Sequence, residues 1–313
     1  MKQYFKNSCF AILLFATMPI INSCELVVPL KLPKIPQKLV LNCQLGKNSV
    51  WQIRFSNSVP SLGKLQPQSL RDINITLKKG NTILQNMDWQ IDTDTLRIRN
   101  QNGTTTYLYA YAYSSFQNLP EAGETYTIEA SKEGYPAVTA TETVPPEVEI
   151  KNATIIDSAT YNFQKYYIFD IEFQDPQNQD NYYSLIVFNN GGFFSNDLSL
   201  KENDQQDPFG GTQGSPFGVE FYDNCYFTDA LFKNQTKKIR IAVPIYSQQI
   251  TEISAVLVTH SKANYFYEQT SQQQQQSSDE DPFSQPTIIY NNITNGLGIF
   301  ASSNKDFGIL KIR

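Results

Sequence analysis

One imidazole, His260, stands in a chain of 313 residues, with four cysteines. A Ser/His/Asp hydrolase would have to use that histidine as its base. It ends an apolar run and precedes Ser261, a helix-capping residue type, which reads as a structural position. The strand-to-helix nucleophile pattern G-x-S-x-G is absent. Gly214-Ser215-Pro216-Phe217-Gly218 comes near it, but Gln213 stands where the first glycine belongs and Pro216 follows the serine. A Cys/His pair would need Cys43 or Cys225 beside His260, and nothing local joins them. Zinc motifs with C-x-x-C or H-E-x-x-H spacing do not occur. Loop carboxylates could hold calcium. Asp175 to Asp180 has Gln177 and Gln179 at alternate positions, and Asp279-Glu280-Asp281 is a short acidic run, so both read as solvated turns. Phosphate-binding glycine motifs are missing too. The residues therefore read as a protein that is not an enzyme, with no catalytic set, no metal and no cofactor.

Aromatic residues could make contacts instead. Tyr161, Tyr166, Tyr182, Tyr183, Phe193, Phe194 and Tyr222 could line a recognition surface, although strand-face packing is the simpler reading. Phe193-Phe194, beside Gly191-Gly192 in a long polar stretch, is the expected partner contact.

Composition limits the rest. Charged residues are 18% and aromatic residues 13%, with a net charge of −5. An acidic chain without a basic run is a poor nucleic-acid binder, and this apolar content is too high for disorder. Lys2 and Lys6 precede a mostly apolar run from Phe10 to Ile21 that is too short to span a bilayer. It reads as a signal peptide over residues 1–23. Ile21-Asn22-Ser23-Cys24 resembles the bacterial lipobox, which makes Cys24 the expected lipidation site. Several acyl chains hold a protein on a membrane without spanning it. Residues 24–36 carry Pro29, Pro33 and Pro36 and read as an extended tether. Two cysteines remain, Cys43 and Cys225; export permits a disulfide between them, and the alternative is two buried thiols.

From Gln37 onward, apolar and polar residues alternate with the period of half-buried strands. Ile73, Ile75 and Leu77 share one face; Tyr107, Tyr109, Tyr111 and Tyr113 share another. Lys79-Gly80-Asn81 and Lys132-Glu133-Gly134 supply hairpin turns. Strands at this spacing predict an immunoglobulin-like or fibronectin-like β-sandwich over residues 37–145. Pro145-Pro146 marks the boundary. Charge supports it: residues 24–145 sum to +2 and residues 146–313 to −9. The second part, 146–313, reads as another β-rich domain with one helix near 262–272, capped by Ser261. Gln272 to Asp281 reads as a solvated loop. Ile299-Phe300 and Phe307 to Arg313 close the chain as strands.

Several segments together resemble one family: Lys38-Leu-Val-Leu41, Gly123-Glu-Thr-Tyr126, Val144-Pro145-Pro146, Asp175-Pro176, Asn181-Tyr182-Tyr183, Phe227-Thr-Asp-Ala-Leu-Phe232 and the tail with Asp281-Pro282-Phe283, Gln285-Pro286, Asn292-Ile293 and Asn295-Gly296-Leu297-Gly298-Ile299-Phe300. These are similar to the Bacteroidota outer-membrane lipoproteins called domain of unknown function 4249, over essentially the whole mature chain. The resemblance implies an outer-membrane, lipid-anchored protein, on either face, that serves a TonB-dependent outer-membrane barrel as an accessory or substrate-binding partner. The rival expectation is a structural envelope-assembly or adhesin-like lipoprotein with no small-molecule ligand. The family implies no catalytic residues. Pro286, Asn292, Gly296, Gly298 and Phe300 of its tail motif are expected to be structural. Asp94-Thr95-Leu96 and Asp157-Ser158-Ala159 look like the Asp-Ser/Thr-apolar acceptor of such bacteria, which would make Thr95 and Ser158 O-glycosylation sites.

Overall fold

Strand-forming residues flank turn residues along almost the whole chain, and the fold follows that rhythm. The computed structural model describes residues 36–59, 67–99, 105–161, 163–189, 192–193, 198–201, 220–222, 225–245, 252–280 and 287–311. Gln37–Arg313 holds together as one unit. The protein is mostly β, as the alternation predicts, with one long helix among the described residues.

The strands are β1 (Leu39–Leu45), β2 (Trp51–Asn57), β3 (Asn74–Lys79), β4 (Thr82–Ile83), β5 (Gln90–Arg99), β6 (Thr105–Ser115), β7 (Thr125–Ser131), β8 (Val138–Thr143), β9 (Ile150–Tyr161) and β10 (Gln164–Gln174). They continue as β11 (Tyr182–Asn189), β12 (Gly192–Phe193), β13 (Leu198–Lys201), β14 (Glu220–Tyr222), β15 (Cys225–Thr228), β16 (Thr236–Ile245), β17 (Glu252–His260) and β18 (Leu297–Lys311). Helix α1 spans Lys262–Glu280. Three sheets result among the described residues. The largest runs β12-β11-β17-β18-β1-β2-β6-β5, with β15 on the free side of β11. The others run β14-β13-β16-β10-β9 and β4-β3-β7-β8.

Two cores lie between these layers. Inward residues of β1 and β2 (Leu39, Leu41, Trp51, Ile53, Phe55) meet Leu77, Tyr126, Ile128 and Ala140 of the smallest sheet. Trp51 and Tyr126 pack edge to face, centroids 5.2 Å apart. Phe169, Ile171 and Phe173 of β10 meet Tyr183, Leu185, Ile253 and Leu257 across the second gap. Fully burying one such side chain contributes about 1.5–3 kcal/mol before entropy is counted. Val144 enters the first core and Val148 the second, on either side of Pro145-Pro146.

Strand β18 joins the two halves of the large sheet. Residues Leu297 to Ser302 pair in parallel with β1, and Ser303 to Lys311 pair antiparallel with β17. Its side chains alternate sides: Phe300 enters the first core, while Ile299 and Ala301 face α1. The two tail segments expected as separate strands are thus one 15-residue strand.

Helix α1 begins where Ser261 predicts. Asn264 N–H donates to Ser261 Oγ at 3.2 Å, the capping bond. Its far end departs from expectation, because the helix runs through the glutamines to Glu280. Glutamine is a good helix former, and no Gly or Pro interrupts the run before Pro282.

Candidate functional site

Three polar clusters stand out among the described residues, and the motif segments build the first and the third. The first lies where Asp175, Asn181, Tyr183 and Asp229 meet, all under 4% exposed. Tyr183 Oη donates to Asp175 Oδ1 at 2.6 Å, and Asn181 Nδ2 donates to the same oxygen at 3.1 Å. The other oxygen, Oδ2, accepts from Asn234 N–H at 2.8 Å. Asp229 Oδ2 accepts from Asn181 N–H at 3.0 Å and from its Nδ2 at 3.2 Å. Two loops distant in sequence, 175–181 and 228–235, are thereby locked together. Burial pushes the Asp229 carboxyl up, and the nearby Asp175 charge adds to it. Burial raises Tyr183 strongly, and its bond to Asp175 adds to the shift, so the phenol stays protonated and donating. Asp175 has both oxygens engaged by protein donors, which is how a carboxylate holds a loop.

The second cluster contains the one histidine. His260 Nε2 lies 2.7 Å from Ser184 Oγ, and Asn264 Nδ2 lies 2.6 Å from His260 Nδ1. These are the residue types of a Ser–His–Asn triad, all buried. Their hydrogen-bond polarity is the reverse of a triad's. Asn264 Oδ1 faces Gln44 Nε2 at 3.5 Å, so its amide nitrogen faces the imidazole. Nδ1 therefore accepts, Nε2 carries the proton, and Ser184 Oγ receives that hydrogen bond. A general base must instead take the serine proton. Burial pushes His260 down to about 4, with Lys305 adding repulsion. Tyr226 lies against the ring at 5.3 Å.

Glu142 sits at the end of the same network. Ser302 Oγ donates to its Oε1 at 3.0 Å, and Ser261 also hydrogen-bonds to it. With no cation acting on it among the described residues, burial pushes this carboxyl up to about 7. Neither Ser184 nor Glu142 is signalled by a motif. The available signal for Glu142 was parity: β8 buries Val138 and Ala140, and the next residue on that face is Glu142.

The third cluster is the tail motif. Asn292 Nδ2 donates to Phe300 O at 2.6 Å, and Phe300 N–H donates to Asn292 Oδ1 at 2.9 Å. The amide continues the ladder beyond His260, where β17 ends. Gly298 has φ +110°, and a Cβ there would lie 2.0 Å from Leu41 O. At Gly296 a Cβ would meet Val138 Cγ1 at 2.6 Å and Leu39 O at 2.7 Å. Both glycines allow β18 to approach β1.

The other expected residues lie apart. Cys43 is a free, buried thiol raised by burial. It is in β1, whereas Cys225 is in β15, separated by β18, β17 and β11. Four strand spacings amount to roughly 19 Å, far beyond the span of a disulfide. Of the two alternatives, the permitted bridge is not made, and Cys43 is the buried thiol of the other. Phe193 lies in β12 opposite Phe188. Thr95 lies in the edge strand β5, and Ser158 is exposed in the edge strand β9. Cys24, Phe194 and Pro286 lie outside the described residues. Of the aromatic residues, Tyr183 is core, while Tyr182 packs on Tyr265 at 4.9 Å and Phe266 at 5.9 Å.

The model of the domain of unknown function DUF4249 matches residues 27–307, which includes all three clusters. The chain belongs to the DUF4249 family. No curated protein matches its sequence. Among solved structures, the chain is similar to a collagen adhesin from S. aureus at 8% identity and a TM-score of 0.22, covering 88% of this chain and 95% of that one. It is also similar to the BSP domain of a biofilm-associated protein at 10% identity and a TM-score of 0.18, covering 91% and 62%. In this DUF4249 member the motif positions Asp175, Asn181, Asp229, Asn292, Gly296 and Gly298 all serve internal contacts.

Proposed function

We propose that the chain is a lipid-anchored outer-membrane protein, attached through Cys24, that acts without catalysis as the accessory or substrate-binding partner of a TonB-dependent transporter. The observation that carries the reading is where the motif side chains point. Asp175, Asn181, Asp229 and Asn292 direct their polar atoms at each other, at Tyr183 and Gln179, or at backbone. Such positions specify a scaffold, and a scaffold with a lipobox suits a binding or supporting task. The polarity at Ser184, His260 and Asn264 favours a structural pairing over an acylating one. The family resemblance supplies the transporter as partner.

Deleting the gene tests this. An uptake defect for a substrate of a TonB-dependent transporter, restored by the wild-type chain and by His260→Gln, is the expected result. Envelope or attachment defects with uptake intact would instead support the structural, adhesin-like role.

A further inference from the structure

Strands β9 and β10 form a long hairpin whose end pair is Tyr161 with Gln164, and Phe163 stands in the short connection between them. Two-residue loops favour Asn-Gly, because the second position takes a positive φ. Here that position holds a phenylalanine at φ +66°. Its side chain is 106% exposed, the most exposed large apolar residue among those described. The fold alone disfavours this residue twice, once for backbone conformation and once for leaving an aromatic ring in water. Strain of this kind persists where a function uses it.

The surroundings of the tip narrow the partner. Between Asp157 and Asp170 lie twelve residues with one charge, Lys165, although residues 146–313 sum to −9. Tyr161, Tyr166 and Tyr167 flank the loop in sequence. Lys165 is exposed, with its Nζ over the Tyr167 ring at 4.9 Å. Farther down β9, Ile156 is the extra residue at a register shift and is 43% exposed. A tip with one protruding ring cannot supply the roughly 1,200 Å² that a specific protein interface buries. A bilayer interface needs no shape match, and it favours aromatic rings beside lysine.

We infer that the β9–β10 hairpin tip, through Phe163, dips into the headgroup region of a phospholipid membrane. It is a second membrane contact besides the lipid at Cys24, and the inference rests on the anchored reading. The test uses the full chain, extracted from cells and reconstituted into vesicles of three parts phosphatidylethanolamine to one part phosphatidylglycerol. Phe163→Trp places an indole at the tip, and brominated lipids read its depth, with the wild-type signal of Trp51 and Trp89 subtracted. The expected result is a blue-shifted emission quenched about twofold, as for a ring sitting in the interface. Phe163→Gly, which accepts the backbone conformation, should keep or raise the thermal midpoint, so loss of folding does not confuse the reading. Vesicle flotation of the wild-type chain separates the two ideas. If the chain fails to float, the anchored reading fails and the tip inference with it. If it floats while the indole emits as in water and stays unquenched, the tip inference alone is overturned. Burial of the indole only when a membrane protein is supplied would overturn it too, in favour of a protein contact.

Discussion

Glu142→Gln should make the protein more stable at alkaline pH and slightly less stable in acid. The carboxyl is 7% exposed and is held by serine hydroxyls, with no cation acting on it among the described residues. Its folded value is about 7, against an ordinary 4.5. The folded state therefore keeps a proton that the unfolded chain has already released. Stability falls as pH rises from 4.5 to about 7, and the full cost remains above that window. A shift of this size corresponds to about 3 kcal/mol, at 1.36 kcal/mol per pH unit. Glutamine keeps an acceptor for Ser302 and cannot ionise. Its added amide hydrogens must find acceptors, which offsets about 1 kcal/mol of the gain. A net increase of about 2 kcal/mol at pH 8 is expected, with a loss of about 1 kcal/mol at pH 4, where only the amide cost remains. Urea unfolding at the two values, read by tryptophan fluorescence, measures the difference. His260 gives a built-in comparison. Its value is lowered to about 4 from 6.5, so its contribution is present above 6.5 and is lost as pH falls through that window. In the wild-type chain the two windows overlap with opposite slopes and largely cancel. The variant should instead show stability rising with pH from about 4 to 6.5. Equal gains at both pH values, or a loss at pH 8, would refute the assignment of Glu142 as a buried, uncompensated acid.

Further expectations follow from the other clusters. Gly298→Ala must adopt a left-handed φ and push a methyl against Leu41 O, so it should cost about 3 kcal/mol or more by chemical denaturation. Asp175→Asn replaces one acceptor by a donor where Tyr183, Asn181 and Asn234 all donate. It should cost about 2–3 kcal/mol and expose the 228–235 loop to limited proteolysis. Cys43 should resist a water-soluble thiol reagent at pH 8 until the chain unfolds, because the thiol is 2% exposed and held protonated by burial; rapid labelling of Cys43, located by peptide mapping, would contradict its place in the core.

Much of the architecture follows from local signals. Alternation marks Ile73 to Leu77 and Phe169 to Phe173 as strands, Gly80 and Gly134 take the positive φ their turns need, and Ser261 caps the helix. These depend on neighbours in sequence. The pairing of β1 with β18 does not, since Val40 meets Leu297 from the far end of the chain. A parallel ladder has no turn to announce it. The polar clusters were hidden for the same reason: Ser184 and His260 are 76 residues apart, and Ser302 and Glu142 are 160 apart. The motif of Asn292, Gly296 and Gly298 was legible as structural before its geometry was known. The reason emerges only from the closeness of Leu39 and Leu41. In the glutamine run polarity suggests a loop, whereas propensity allows the helix that forms.

The transporter partnership is tested most directly by mild cross-linking in intact cells, followed by affinity purification of the full chain from detergent-extracted outer membranes and mass spectrometry of what remains bound. The account predicts a TonB-dependent barrel recovered in near-stoichiometric amount. Recovery of the chain in good yield from the outer membrane, with no barrel above background, would contradict it.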